Sequence, residues 1–129
     1  MSAGGGAILA VVAAGGALGA LARYGLAILT LGAAFPWATL LANILGSFLI
    51  GWAGAALLRE GAPPRPLATA FVMAGFCGGF TTFSLFSLEA VSLWRDGAPE
   101  LAALYVAVSL VTWLPACAAG WRFGEALRS

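Results

Sequence analysis

The chain has 129 residues, 62% of them apolar and 9% charged, with a net charge of +1. Soluble domains average roughly 45–50% apolar and about 25% charged residues, so the composition excludes a water-soluble globule and predicts a membrane protein in contact with a lipid bilayer. The near-neutral charge argues against a nucleic-acid partner, and the lack of histidine removes the commonest general base and metal ligand.

Charges divide the chain into segments. Residues 2–22, 24–58, 66–88 and 101–121 carry none. A membrane-spanning helix needs about 20 apolar residues. The long second stretch is interrupted at Phe35-Pro36, and proline suits the first turn of a helix. Four spans are therefore predicted, at about 4–32, 36–58, 66–95 and 99–122, within one transmembrane domain over 1–129. The fold class is an all-α membrane protein with its third helix broken mid-span. The connections Leu31–Phe35, Arg59–Pro66 and Arg95–Pro99 are short, so function must reside within the bilayer.

The first span has no Lys or Arg before its apolar run, and the run continues past Arg23. That argues against a cleaved signal peptide. Gly15 and Gly19 form a G-x-x-x-G pair, as do Gly120 and Gly124 in the last span. Such pairs let helix backbones approach closely. Arg23 sits within or near the end of this span, beside Tyr24. An arginine at membrane depth must be paired, hydrated or snorkelling to the interface.

On the second span, Thr39, Asn43 and Ser47 recur at i, i+4 and i+8 and share one face. Asparagine supplies two donors and an acceptor, which suits either an anion or an interhelical hydrogen bond. The third span holds the most informative stretch, Gly75-Phe76-Cys77-Gly78-Gly79-Phe80-Thr81-Thr82-Phe83-Ser84-Leu85-Phe86-Ser87-Leu88-Glu89. Unpaired backbone groups in hydrocarbon cost several kcal/mol, so irregular backbone survives there only against protein, water or an ion. This stretch is a candidate ion or substrate site. Gly78-Gly79 permits backbone conformations that larger residues resist. Phe80, Phe83 and Phe86 recur every three residues beside Thr81, Thr82, Ser84 and Ser87. The positive edges of the aromatic rings can face an anion that their negative faces repel. Glu89 lies near the same path or pairs with Arg23. On the fourth span, Tyr105 and Ser109 share a face and extend the track of hydroxyls, or else serve packing and local hydrogen bonding. Cys77 and Cys117 lie in apolar context without C-x-x-C spacing, which predicts free thiols.

Four spans place both termini on one side, together with Arg59, Arg65, Arg122 and Arg128. The positive-inside rule then favours cytoplasmic termini. Arg95 opposes this bias, as does Arg23 if it reaches the other interface. The small difference predicts insertion in both orientations.

Three pieces of the chain resemble the Fluc (CrcB) family of fluoride channels: Gly16-x-x-Gly19-Ala20-x-x-Arg23-Tyr24, Thr39-Leu40-x-x-Asn43-x-x-Gly46-Ser47-Phe48, and the Gly75–Glu89 stretch. The resemblance runs along essentially the whole chain. It implies a fluoride-selective channel of the cell (inner) membrane rather than an enzyme, exporting fluoride passively. It implies an antiparallel, dual-topology homodimer with two pores and a structural sodium ion on the two-fold axis. Backbone carbonyls of Gly78 and Thr81 from both subunits would hold the sodium. The pore phenylalanines fall on Phe83 and Phe86 and the pore asparagine on Asn43. Tyr105 and Ser109 match the fourth-helix tyrosine and serine, and Thr82 and Ser84 complete the expected pathway. Leu85, Trp113 and Ala38 depart from the family pattern: Leu85 replaces a frequent threonine, Trp113 a frequent second fourth-helix hydroxyl, and Ala38 a common glycine.

Two other classes compete. A proton-coupled small multidrug exporter needs an embedded carboxylate, typically in its first helix, whereas the only carboxylate within a span here is Glu89. A non-transporting subunit of a larger membrane complex leaves the polar break without a role.

Overall fold

The computed structural model describes residues 3–128. These residues form helices joined by short turns, with no strand among them: α1 (Ala3–Leu29), α2 (Trp37–Leu57), α3 (Pro66–Thr69), a π-helical segment (Ala70–Cys77), α4 (Gly78–Phe80), α5 (Phe83–Arg95) and α6 (Pro99–Ala126). The segments from Pro66 to Arg95 together make the third span, giving four helical stretches long and apolar enough to cross a membrane. The first helix ends at Leu29, short of the expected 32, because Thr30, Leu31 and Gly32 turn the chain, with Gly32 at φ 82°. The last helix runs on to Ala126 rather than stopping at 122 and passes through the exposed Pro115. Large apolar side chains cover the outside, among them Leu29 at 81% exposure and Leu114 at 74%. Such a surface suits lipid, and the protein is a multi-pass membrane protein.

Two glycine-lined seams hold the helices together. Gly15 and Gly19 of α1 face the third span so closely that a Cβ on Gly15 would reach the carbonyl of Phe71 at 2.5 Å, and one on Gly19 the backbone nitrogen of Phe80 at 2.7 Å. Gly75 and Gly79 return the contact, against Val12 and Gly16. The second seam joins α2 to α6, where Gly51 abuts Cys117, Gly120 abuts Phe48, and Gly124 meets Trp52 and Ala55. Lipid tails are as apolar as leucine, so association within a bilayer depends on such close packing rather than on the hydrophobic effect. Both G-x-x-x-G pairs thus serve packing. Between α2, α5 and α6 lies a small core of Leu40, Phe86 and Tyr105.

Candidate functional site

The third span is broken at Thr81 and Thr82, not at the glycines before them. Gly78 is helical, at φ −62° and ψ −37°. The chain leaves the helix at Thr81 (φ −91°, ψ 158°) and stays extended through Thr82 (φ −157°, ψ 125°). The expectation that Gly78-Gly79 supplies unusual backbone is therefore corrected. Among the described residues, positive φ at glycine is confined to Gly32, Gly61 and Gly97 in the turns. The glycines before the break provide close approach instead: Gly79 packs on Gly16, and Gly46 of α2 leaves room for the methyl of Thr81.

An extended pair in mid-span withdraws N–H groups from the carbonyls one turn earlier, and the side chains around the break supply substitutes. Thr81 donates both its N–H (3.0 Å) and its hydroxyl (2.8 Å) to the Cys77 carbonyl. Arg23 Nε reaches the Gly79 carbonyl at 3.4 Å. Asn43 pairs with Thr82 on both edges of its amide. Its Oδ1 accepts the Thr82 N–H at 2.8 Å, and its Nδ2 donates to the Thr82 carbonyl at 3.0 Å. The Thr82 hydroxyl caps α5 by accepting the Leu85 N–H at 3.1 Å, and it lies 3.3 Å from the Ser84 hydroxyl. Ser87 donates back to the Phe83 carbonyl at 2.9 Å.

Glu89 does not pair with Arg23. One carboxylate oxygen accepts the Thr39 hydroxyl at 2.8 Å and the other the Tyr105 hydroxyl at 2.6 Å. The polar stripe of α2 is thereby divided among three tasks. Thr39 serves Glu89, Asn43 serves the break, and Ser47 faces a cavity of about 210 Å³. Asn43, Gly46, Thr82, Phe83 and Trp113 also line that cavity, and none of its lining residues is charged.

The two phenylalanines separate. Their ring centroids lie 5.5 Å apart, yet Phe83 is 70% exposed at the cavity and Phe86 only 5%. Phe86 packs edge-on to Tyr105 (5.0 Å, 62°) and to Trp113 (4.9 Å, 71°). Helical spacing of three residues puts them near one face, but Phe86 meets Tyr105 and Trp113 of α6 whereas Phe83 borders the open cavity. Ser109 is fully buried one turn below Tyr105 on α6, and its hydroxyl meets no partner.

Sequence reasoning misses two features. The π-helical segment Ala70–Cys77 lies directly before the break. The run of small residues around Gly75, Gly78 and Gly79 is its nearest signal, and no residue type specifies an i→i+5 pattern. In sequence, Trp113 or Thr112 follows Tyr105 and Ser109 at helical spacing, and Trp113 departs from the family pattern; the structure makes Trp113 part of the cavity wall, in contact with Phe86.

A family profile described as "CrcB-like protein, Camphor Resistance (CrcB)" matches residues 10–121. The fluoride-specific ion channel FluC of Agrobacterium fabrum is 45% identical over 126 residues, covering 92% of this chain and 97% of the relative. A FluC channel of Thermus thermophilus is 48% identical over 120 residues, covering 91% and 94%. The fluoride-specific ion channel FluC 2 of Bacillus subtilis is 50% identical over 105 residues, covering 81% and 78%. With the family profile spanning most of the chain and such relatives matching nearly end to end, this protein belongs to the CrcB family.

Proposed function

We propose that this chain is a fluoride-specific ion channel that lets fluoride leave the cytoplasm passively. The observation that carries the reading is the polar seam at the break of the third span. There a buried asparagine, two threonines and an exposed phenylalanine border an uncharged cavity in an otherwise apolar subunit. Relatives matching nearly the whole chain are named fluoride-specific channels. Fluoride holds its water tightly, so a path must offer hydrogen-bond donors in exchange. Asn43, Ser47 and Thr82 are such donors, and Phe83 adds an aromatic edge. A wall without full charge binds weakly enough to release the ion. A negative cell interior supplies about 2.3 kcal/mol per 100 mV for each anion that leaves.

The working unit is an antiparallel homodimer with two pores. Gly78 is exposed on the subunit, and a Cβ there would meet nothing nearer than the Met73 carbonyl at 4.0 Å. Backbone at a helix break is poorly tolerated against lipid, and a second copy would cover it. Carbonyls of Gly78 and Thr81 from both subunits would hold a sodium ion. Among the described residues no cluster of His, Cys, Asp or Glu could hold a metal. The carbonyls at the end of the helix, released by the extended Thr81, are a neutral oxygen set at the negative pole of the helix dipole. A bound cation would raise the local potential for an anion and fasten the dimer.

The exporter alternative is weaker. Both oxygens of Glu89 are engaged by hydroxyls of the same subunit, so the carboxylate is not presented to an exchanging proton or drug. The test is efflux from liposomes, followed with a fluoride electrode. Fast fluoride loss without a proton gradient supports the channel, and loss only with a proton gradient supports an exporter. Gly78→Val, which the isolated subunit accommodates, should abolish dimerisation and sodium dependence. Normal dimers in that variant would remove the proposed ion site. Ala62→Cys should be labelled from both sides of the membrane; labelling from one side only would refute dual topology.

A further inference from the structure

Among the described residues, only two buried side-chain polar atoms meet no hydrogen-bond partner: Ser109 Oγ and Trp113 Nε1. They stand one turn apart on α6, so their side chains rise from neighbouring points of one face. A buried donor without an acceptor forfeits the hydrogen bond it had with water. Packing does not explain the indole, because phenylalanine would fill much of the same wall without bringing an N–H. Nor can the helix absorb the cost. The Thr112 hydroxyl satisfies itself by donating to the Val108 carbonyl at 2.6 Å. An indole N–H is held away from its own backbone by the ring and cannot do the same. It is also a donor only, with no lone pair to offer a neighbouring hydroxyl.

The surroundings point to what would accept. Trp113 lines the cavity bordered by Asn43, Thr82 and Phe83, and on its other side it meets the Phe86 ring edge-on at 4.9 Å. It therefore bridges the open cavity and the closed aromatic core of Phe86 and Tyr105. No charged side chain lines this cavity. We propose that Trp113 is an anion-binding residue: its indole N–H donates to fluoride moving from the cavity toward Phe86, and Ser109 Oγ supplies the second donor of the same station. The inference rests on the channel reading and adds to it a donor of a different kind, an N–H that cannot also accept. A hydroxyl at this position could turn its lone pairs toward a cation or toward a water proton. The indole N–H offers only partial positive charge, so the station favours anions at this step.

The test uses the full-length dimer in detergent micelles, with tryptophan labelled at the indole nitrogen. Trp37, Trp52, Trp94 and Trp121 act as internal references; the indole of Trp121 already donates to Glu125 at 2.9 Å. Trp113→Phe identifies the Trp113 signal by its absence. Titration with potassium fluoride should move that signal downfield in a saturable way, and potassium chloride at equal concentration should not. In liposomes carrying equal amounts of folded dimer, W113F should lose about 10- to 100-fold of its fluoride flux, the scale of one hydrogen bond to a charged group. An unmoved Trp113 signal, or an equal movement with both salts, overturns the proposal and leaves water or packing as its role. Wild-type flux in W113F overturns it as well. Should W113F fail to fold, the titration of the unsubstituted protein decides, with the signal assigned through Ser109→Ala, which perturbs the neighbouring turn. A parent protein that passes no fluoride defeats the channel reading itself, whereas a conducting parent with a silent Trp113 defeats only this inference.

Discussion

Asn43 offers the sharpest separation between a residue that touches an ion and one that holds the scaffold. Its amide satisfies both the N–H and the carbonyl of Thr82, at 2.8 and 3.0 Å, in a residue only 4% exposed. Thr82 is extended at the N-cap of α5. Asn43→Leu keeps similar bulk and takes the amide partner from both groups at membrane depth. Each unsatisfied group costs about 1–3 kcal/mol, so the expected loss is about 2–6 kcal/mol. Double-mutant values measured in bilayers tend toward the low end of such ranges, which favours about 2 kcal/mol over about 6. The assay is reversible unfolding in mixed micelles, followed by far-UV circular dichroism, with parent and variant compared at one protein concentration. A loss under about 0.5 kcal/mol would place the pair outside the scaffold, since substitutions away from such features fall in that range. Asn43→Asp separates the two roles further. Its carboxylate can still accept from the Thr82 N–H but cannot donate to the carbonyl when ionised. It should therefore keep part of the stability and still block flux, by placing an anion beside an anion path.

Three further outcomes are expected. Gly19→Val drives a side chain into the Phe76 carbonyl and Phe80 nitrogen, both backbone atoms of the third span, and should prevent α1 from docking; a variant that melts like the parent would show that the seam can open without cost. Thr82→Ala removes the cap on α5 and should cost about 1 kcal/mol, with helix content falling near the break in hydrogen exchange; unchanged exchange at Ser84 and Leu85 would dismiss the cap. Glu89→Leu and Tyr105→Phe, alone and together, should show a coupling energy of about 1.5–3 kcal/mol for a hydrogen bond to a carboxylate, and additive losses would mean that the 2.6 Å contact carries no net stability.

Much of this architecture is legible in the amino-acid sequence because it follows from local rules. Four uncharged stretches, a proline opening the second span and glycine-bearing loops suffice to count the helices and place their turns. The G-x-x-x-G pairs mark the close seams, since only glycine admits that approach. The stripe Thr39, Asn43, Ser47 is visible as helical periodicity, and the stretch Gly75–Glu89 announces a break by gathering glycines and hydroxyls at membrane depth. What each polar group does is decided by tertiary structure. The break falls at Thr81-Thr82 because Asn43, from another helix, satisfies Thr82 on both edges. Glu89 meets Thr39 and Tyr105 instead of Arg23, because α2 and α6 bring two hydroxyls within reach while Arg23 is drawn to the Gly79 carbonyl. Phe83 and Phe86 share a helical face in sequence, yet one faces outward and one is enclosed, since exposure depends on what packs opposite. In sequence Trp113 is visible as an apolar residue where the family often has a hydroxyl, four residues after Ser109. Only the packed bundle shows a buried indole N–H without an acceptor at a cavity wall, because hydrogen-bond satisfaction is a property of what surrounds a group and not of the group itself.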